Sequence, residues 1–282
     1  MRVLFRTDGV SVFQSAIFLT TSTVLHSAAS VVVIDPTWLP DEVMAIRRYV
    51  EGIGQGKEWY VLLTHSDYDH ILGWQAFPEA RVIASASLAH SPHKKRILKQ
   101  VKQWDADNYV QRPWPVEWPR VDVMVEFDAQ HMVLDEEMSL RFWLTPGHNP
   151  DGIMVFAERQ QTLIVGDYLS DVEFPFIDYS YLLYEDALKK MELAIDTFGV
   201  NVLVPGHGHV AFWPQDMCNR LRESWEYLDA LWAHVAGRKS FDEAWLWSRY
   251  PFAANQVAQH LANIRRAEAE IDWQGRWLAI SE

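Results

Sequence analysis

Residues 61–70 read VLLTHSDYDH. An aliphatic, β-branched run ends at Thr64, and His65, Asp67, Asp69 and His70 follow at once. Such a run predicts a buried strand. Four imidazole and carboxylate side chains at its carboxyl end are a dense set of nitrogen and oxygen metal ligands. Three further stretches repeat the arrangement. LRFWLTPGH delivers His148 after a strand and a Pro-Gly turn, TLIVGD delivers Asp167 after a strand and a glycine, and NVLVPGH delivers His207 after a strand and another Pro-Gly turn. In α/β folds, sites form along the edge where strands end. Several strand ends, all presenting nitrogen or carboxylate donors and no thiol, predict one metal cluster.

The surrounding sequence predicts an α/β body. Further strands are expected at Val10–Leu19, Val31–Ile34, Tyr60–Leu63, Arg81–Ala84, Val121–Phe127, Leu140–Leu144, Ile153–Ala157, Thr162–Val165 and Asn201–Val204. Helices are expected at Pro40–Val50, where Pro40 and Asp41 suit a first turn, and at Tyr184–Phe198, which Gly199 ends. From about Gln215 the pattern turns helical, with Met217–Ala236 and Ala253–Ile271 separated by Tyr250-Pro251. In the second helix Val257, Leu261, Ile264, Ala267 and Ile271 share one face and are expected to bury it. Ser91–Arg120 begins as a basic helix and ends in a proline- and tryptophan-rich stretch, an insertion suited to a lid or a pocket wall.

The order of ligand types resembles the metallo-β-lactamase-fold hydrolases, whose fingerprint is His-x-His-x-Asp-His, then a single His, a single Asp and a last His. The resemblance covers about residues 10–210 and rests on His65, Asp69, His70, His148, Asp167 and His207. It implies an α/β four-layer αββα sandwich with its metals at one rim. The expected division is a catalytic domain over 1–214, with the 91–120 insertion, and a C-terminal helical extension over 215–282. The sequence departs from the fingerprint at Asp67, where the family most often has its second His. By analogy one site is His65, Asp67 and His148, the other is Asp69, His70 and His207, and Asp167 bridges them. Asp67 could instead hydrogen-bond a neighbouring His, leaving a single metal.

The implied cofactors are two divalent metal ions, zinc first, with iron or manganese favoured by the harder ligand set. Three carboxylates and one hydroxide cancel the charge of two such ions, which weakens Lewis acidity. The implied activity is hydrolysis of an ester-, thioester-, lactone- or amide-like small molecule by a metal-bound hydroxide that Asp69 orients. One alternative is a diiron oxidoreductase, similar to the flavodiiron branch of the fold. That branch has Glu at the position of Asp67 and needs a flavin domain, for which these 282 residues leave no room. The other alternative is a non-enzymatic metal-binding member.

Composition bounds the partners. The net charge of −13 disfavours nucleic acid, and no apolar stretch is long enough to span a membrane. The N-terminus reads as strands rather than as a signal peptide. The one cysteine, Cys218, fits a cytoplasmic protein and is expected to be inert. The aromatic-rich C-terminal helices could form a homodimer or cap the sheet. His209 is expected beside the site or at the surface, and His26, His90, His93, His131, His234 and His260 at the surface or in the core. Asp35 is expected to support a turn near the metals. Lys94, Lys95, Arg96, Lys99 and Lys102 read as a solvated helix face, with anion binding as the sharper alternative. Trp74, Tyr168, Phe174, Phe176 and Tyr181 are divided between core and pocket wall.

Overall fold

The computed structural model describes residues 1–270. Two twisted sheets pack face to face. The first contains β1 (Arg2–Thr7), β2 (Val10–Gln14), β3 (Thr21–His26), β4 (Ser30–Ile34), β5 (Glu58–Leu62), β6 (Arg81–Ser85) and β7 (Val123–Val125), side by side in that order. Its first four strands form an antiparallel meander, and β4 to β7 run parallel. The second contains β8 (Gln130–Asp135), β9 (Met138–Leu144), β10 (Ile153–Ala157), β11 (Thr162–Ile164) and β12 (Val202–Val204), with only β11 and β12 parallel. Around the sheets lie α1 (Pro40–Ile53), α2 (Ala86–Ala89), α3 (Lys94–Asp107), α4 (Tyr181–Phe198), α5 (Pro214–Val235), α6 (Glu243–Arg249) and α7 (Ala253–Glu270).

Strand alternation builds the layers. In β4, Val32 and Ile34 point between the sheets, where they meet Phe142, Ile153 and Val155. Val31 and Val33 point the other way, onto Val43, Ile46 and Val50 of α1. Both faces are covered, so the strand is apolar throughout. On the far side, Met154, Phe156 and Leu203 turn away from the inter-sheet core and pack with Leu188 and Met191 of α4 and Tyr227 and Leu228 of α5. The result is the expected αββα sandwich with helices at its C-terminal end. No described helix is long and apolar enough to cross a membrane.

Three expectations need correction. The strand over Val10–Leu19 stops at Gln14, and the chain then turns, with Phe18 and Leu19 in left-handed conformations at φ 50° and 52°. A run of apolar residues does not distinguish a strand from a loop that lines a cavity, and this loop lines one. The expected apolar face of α7 is buried only in part, at Ala267 and, half-buried, at Ile264. Val257 and Leu261 are 42% and 45% exposed, whereas Gln256, His260 and Asn263 are buried beside Ala267. Each buried polar side chain has a partner, as burial requires. Gln256 Nε2 donates to Val172 O at 3.0 Å, His260 Nδ1 meets Tyr227 Oη at 3.0 Å, and Asn263 Nδ2 donates to Pro175 O at 2.6 Å. Ile271 lies outside the described residues. Finally, β3 and β8 add to the expected strands, because Thr- and Ser-rich or half-exposed strands carry little apolar signal.

The proline-rich end of 91–120 is anchored. Trp114 Nε1 donates to Leu72 O at 2.8 Å and Trp118 Nε1 to Leu88 O at 3.2 Å, while Arg112 pairs with Asp105 at 2.7 Å. These contacts tie the segment to the body of the sandwich.

The corrected face of α7 sets a testable contrast. Asn263→Ala orphans Pro175 O and Ile177 N–H in the interior and should cost about 2–3 kcal/mol. Leu261→Ser should change stability by less than about 0.5 kcal/mol. Urea unfolding of the two variants measures both, and the reverse ranking would show that the apolar face is the one that packs.

Candidate metal centre

The parallel register of β11 and β12 pairs Ile164 with Val204. Asp167 and His207 each follow the paired residue by one short turn, so both side chains emerge together. His65 follows β5 and His148 follows β9 in the same way. The two sheets are tied at this rim by a hydrogen bond from Ile153 N to Thr64 O, 2.8 Å. The turns need their glycines. A Cβ on Gly206 would collide with the Asp167 carboxylate, and one on Gly147, at φ 140°, would come within 2.5 Å of the Tyr184 backbone.

Folding gathers every expected ligand. His65, Asp67, His148 and Asp167 form one group, and Asp69, His70 and His207 form another. Nε2 of His148 lies 2.9 Å from Asp67 Oδ2 and 3.3 Å from Asp167 Oδ2. Nε2 of His65 lies 3.4 Å from Asp167 Oδ2 and 3.7 Å from Asp67 Oδ2. Across the pit, His207 Nε2 is 3.4 Å from both Asp69 Oδ2 and Asp167 Oδ2, and His70 Nε2 is 3.1 Å from Asp167 Oδ1. Asp167 therefore stands between the two groups. Asp67 is 35% exposed and the remaining side chains are nearly closed off, so Asp67 forms the open edge.

The tautomers follow from the outer contacts. His148 Nδ1 donates to Phe176 O at 2.8 Å and His207 Nδ1 to Phe18 O at 2.9 Å, since a carbonyl only accepts. His70 Nδ1 faces Asp35 Oδ2 at 3.0 Å. Thr64 Oγ1 donates to the same carboxylate at 2.5 Å and so accepts from His65 Nδ1 at 2.9 Å. In the neutral form that ligates a metal, all four rings then turn an Nε2 lone pair inward. His70 and His207 bring theirs within 3.4 Å of each other, and His65 Nε2 and Asp167 Oδ1 are buried without a hydrogen-bond partner. Lone pairs and carboxylates repel unless cations lie among them. The residues fit a metal centre, with outer partners that fix the rings as metal-binding histidines require.

The electrostatics agree. Burial disfavours charge on His70, yet Asp167 and Asp69 outweigh it and hold its pKa well above the ordinary value. His148 and His207 are raised in the same way against burial, through the neighbouring carboxylates. Burial would raise Asp167, but His70, His207 and His65 hold it well below the usual carboxylate range. Binding a metal must displace protons from these rings, so affinity falls as pH falls.

Asp35 supports the site as expected, at φ 46°, with Oδ1 also accepting from Thr64 N at 2.8 Å. His209 stays outside the pit and pairs with Asp171 at 2.8 Å. His260 is in the core, and Cys218 is exposed. Phe176 lines the cavity over the pit, while Tyr168, Phe174 and Tyr181 are core residues. Sequence reasoning missed Glu173, which lines that cavity, and Asn263. The Asn263 side chain holds both Pro175 O and Ile177 N, at 2.6 and 2.9 Å, and so brackets the carbonyl that orients His148. No spacing from the motif reaches either residue.

The sequence signature of the metallo-beta-lactamase superfamily matches residues 17–207. The chain belongs to the metallo-beta-lactamase superfamily. Among solved structures it is similar to a metallo-beta-lactamase family protein from Thermus thermophilus, with TM-score 0.64, 17% identity, and 94% of this chain and 96% of that one covered. It is also similar to a metallo-beta-lactamase from Pontibacter korlensis, with TM-score 0.54, 15% identity and coverage of 78% and 98%. A third is rubredoxin oxygen:oxidoreductase from Desulfovibrio gigas, with TM-score 0.54, 14% identity and coverage of 81% and 62%. No curated protein matches the chain by sequence. At these identities the likenesses establish the fold, and the metal-dependent framework follows from the superfamily signature.

Asp35→Asn tests the outer contacts of this superfamily site. Asn tolerates the left-handed backbone, so the turn survives. Its amide nitrogen cannot accept, so either Thr64 N–H or the Thr64 Oγ1 and His70 Nδ1 donors lose their acceptor, and metal affinity should fall about 10- to 100-fold. Chelator competition reads this directly, and unchanged affinity would show that Asp35 only shapes the turn.

Proposed function

We propose that the protein is a metal-dependent hydrolase that carries two divalent ions and acts on a small ester-, thioester-, lactone- or amide-like molecule. The observation that carries this reading is the convergence of the Nε2 lone pairs and carboxylates at the floor of an open cavity of about 520 Å³. A cavity of this size suits a small-molecule substrate. His65, Asp67 and His148 would hold one ion, Asp69, His70 and His207 the other, and Asp167 both. Bound there, the ions would supply Lewis acidity and a water of lowered pKa.

The chain's own residues do the rest. Asp69 borders the cavity and is placed to orient the attacking water and take up its proton. In the overall reaction the water oxygen bonds to the carbonyl carbon, and the bond to the leaving group breaks with its electron pair on the leaving atom. That atom then receives the proton. Phe18, Leu19 and Phe176 line the cavity with apolar surface and limit the water that reaches the carbonyl. No serine or cysteine nucleophile is needed. The net charge of −13 supports a small molecule over nucleic acid, and the single cysteine supports a cytoplasmic setting.

Asp67 favours a second reading. A carboxylate in place of imidazole makes the ligand set harder and more suited to iron, and one similar structure is an oxidoreductase. Elemental analysis of freshly purified protein decides. The hydrolase reading expects about two equivalents of colourless zinc or manganese and turnover of chromogenic esters. Iron with a visible absorption band and no ester turnover would support the oxidoreductase. His65→Ala and Asp167→Ala should each lose metal and activity together. Full metal content and turnover in both would overturn the site.

A further inference from the structure

The space around the metal centre differs in chemistry from side to side. One side of the main cavity is apolar, lined by Phe18, Val172, Phe176 and Phe252. On the other, Asp67, Tyr68 and Asp178 border both this cavity and a second one of about 530 Å³. The second cavity is rich in donors and cations, with His93, Arg96 and Gln100 on one wall and Asn149 and Arg266 on others. Arg96 comes from α3 and Arg266 from α7, so the fold brings together two guanidinium groups that are distant in the chain.

Both arginines are exposed, and among the described residues no carboxylate lies within ion-pair distance of Arg96 or Arg266. Arg266 donates to the carbonyl of Asp178 at 2.8 Å, which holds it at the cavity. Two acids also border this cavity. Asp67 lies against His148 and would be neutralised by a bound metal, while Asp178 keeps its charge and accepts from Gln259 Nε2 at 2.8 Å. In a chain of net charge −13, two such guanidiniums beside the reaction centre are a local exception. Of the rest of the basic run, Lys94 donates to Ala89 O at 2.6 Å and lies over Trp118, and the other three lysines form a solvated face. Lys95, Lys99 and Lys102 border a separate depression on the outside of α3. Guanidinium groups bind carboxylates through paired, charge-assisted hydrogen bonds.

We propose that this second cavity is a subsite for an anionic arm. The preferred substrate is then a carboxylate-terminated acyl ester. Its scissile carbonyl sits over Asp69 and Asp167, its apolar leaving group lies against Phe18 and Phe176, and its terminal carboxylate lies between Arg96 and Arg266. The proposal rests on the hydrolase reading above and adds the substrate class.

The test compares mono-p-nitrophenyl adipate with p-nitrophenyl hexanoate, which differ only in the terminal carboxylate. The metal-loaded protein should prefer the adipate ester by about tenfold or more in kcat/KM, the scale of a charged hydrogen bond. Arg96→Ala and Arg266→Ala should each collapse that preference toward parity, and Lys95→Ala should keep it. A wild-type preference for the hexanoate, or an adipate preference that survives both arginine variants, overturns the subsite. If neither ester is turned over, the hydrolase reading fails, and free adipate then tests the subsite alone. Adipate should raise the Tm of the wild type and not that of Arg96→Ala, and equal shifts, or none, overturn it.

Discussion

Inward-facing lone pairs and carboxylates cannot share a buried pit unless positive charge lies among them. The constraint arises outside the pit. Phe18 O, Phe176 O, Asp35 and Thr64 accept hydrogen bonds from Nδ1 of the four rings, which aims every Nε2 at the inside. Three carboxylates add to the same negative potential. The fold can tolerate this only because the sandwich is rigid. Both faces of each sheet are covered, and the rim is pinned where Ile153 meets Thr64. Stability is spent to hold an arrangement that would relax if it could, as at other functional sites.

That arrangement depends on parts of the chain well beyond the strands that carry it. The loop from Val172 to Ser180 supplies the carbonyl that orients His148, and α7 secures the loop at several points. Gln256 holds Val172 O, Asn263 brackets Phe176, and Glu270 accepts from Tyr181 N at 3.0 Å. Tyr227 of α5 joins through its hydroxyl, which accepts from Asn263 at 2.7 Å. Polar residues of α7 thus face inward to hold this loop, and Val257 and Leu261 are left at the surface.

Much of the fold and most of the site were legible because strand ends are local. A strand of period two, a Pro-Gly turn and one ligand occupy fewer than about ten residues, and each such unit can be recognised alone. The αββα layering followed from family resemblance and agrees with alternation in β4 and β10. What could not be read depends on contacts between distant segments. The run from Val10 to Leu19 looked uniform, yet its second half leaves the sheet to line a cavity and to accept a hydrogen bond from His207. The buried polar positions of α7, Gln256 and Asn263, escaped the pattern because their partners are backbone groups in another loop, which no hydropathy pattern records. For the same reason Arg96 could not be separated from its lysine neighbours until the packing of α3 against the site was seen.

The register of β11 against β12 has a further consequence. The two ligands that close the pit, Asp167 and His207, are brought side by side only when the final strand joins its sheet. Before that pairing forms, the HSDYDH stretch offers ligands from one strand end only, so the complete pit is a property of the closed second sheet.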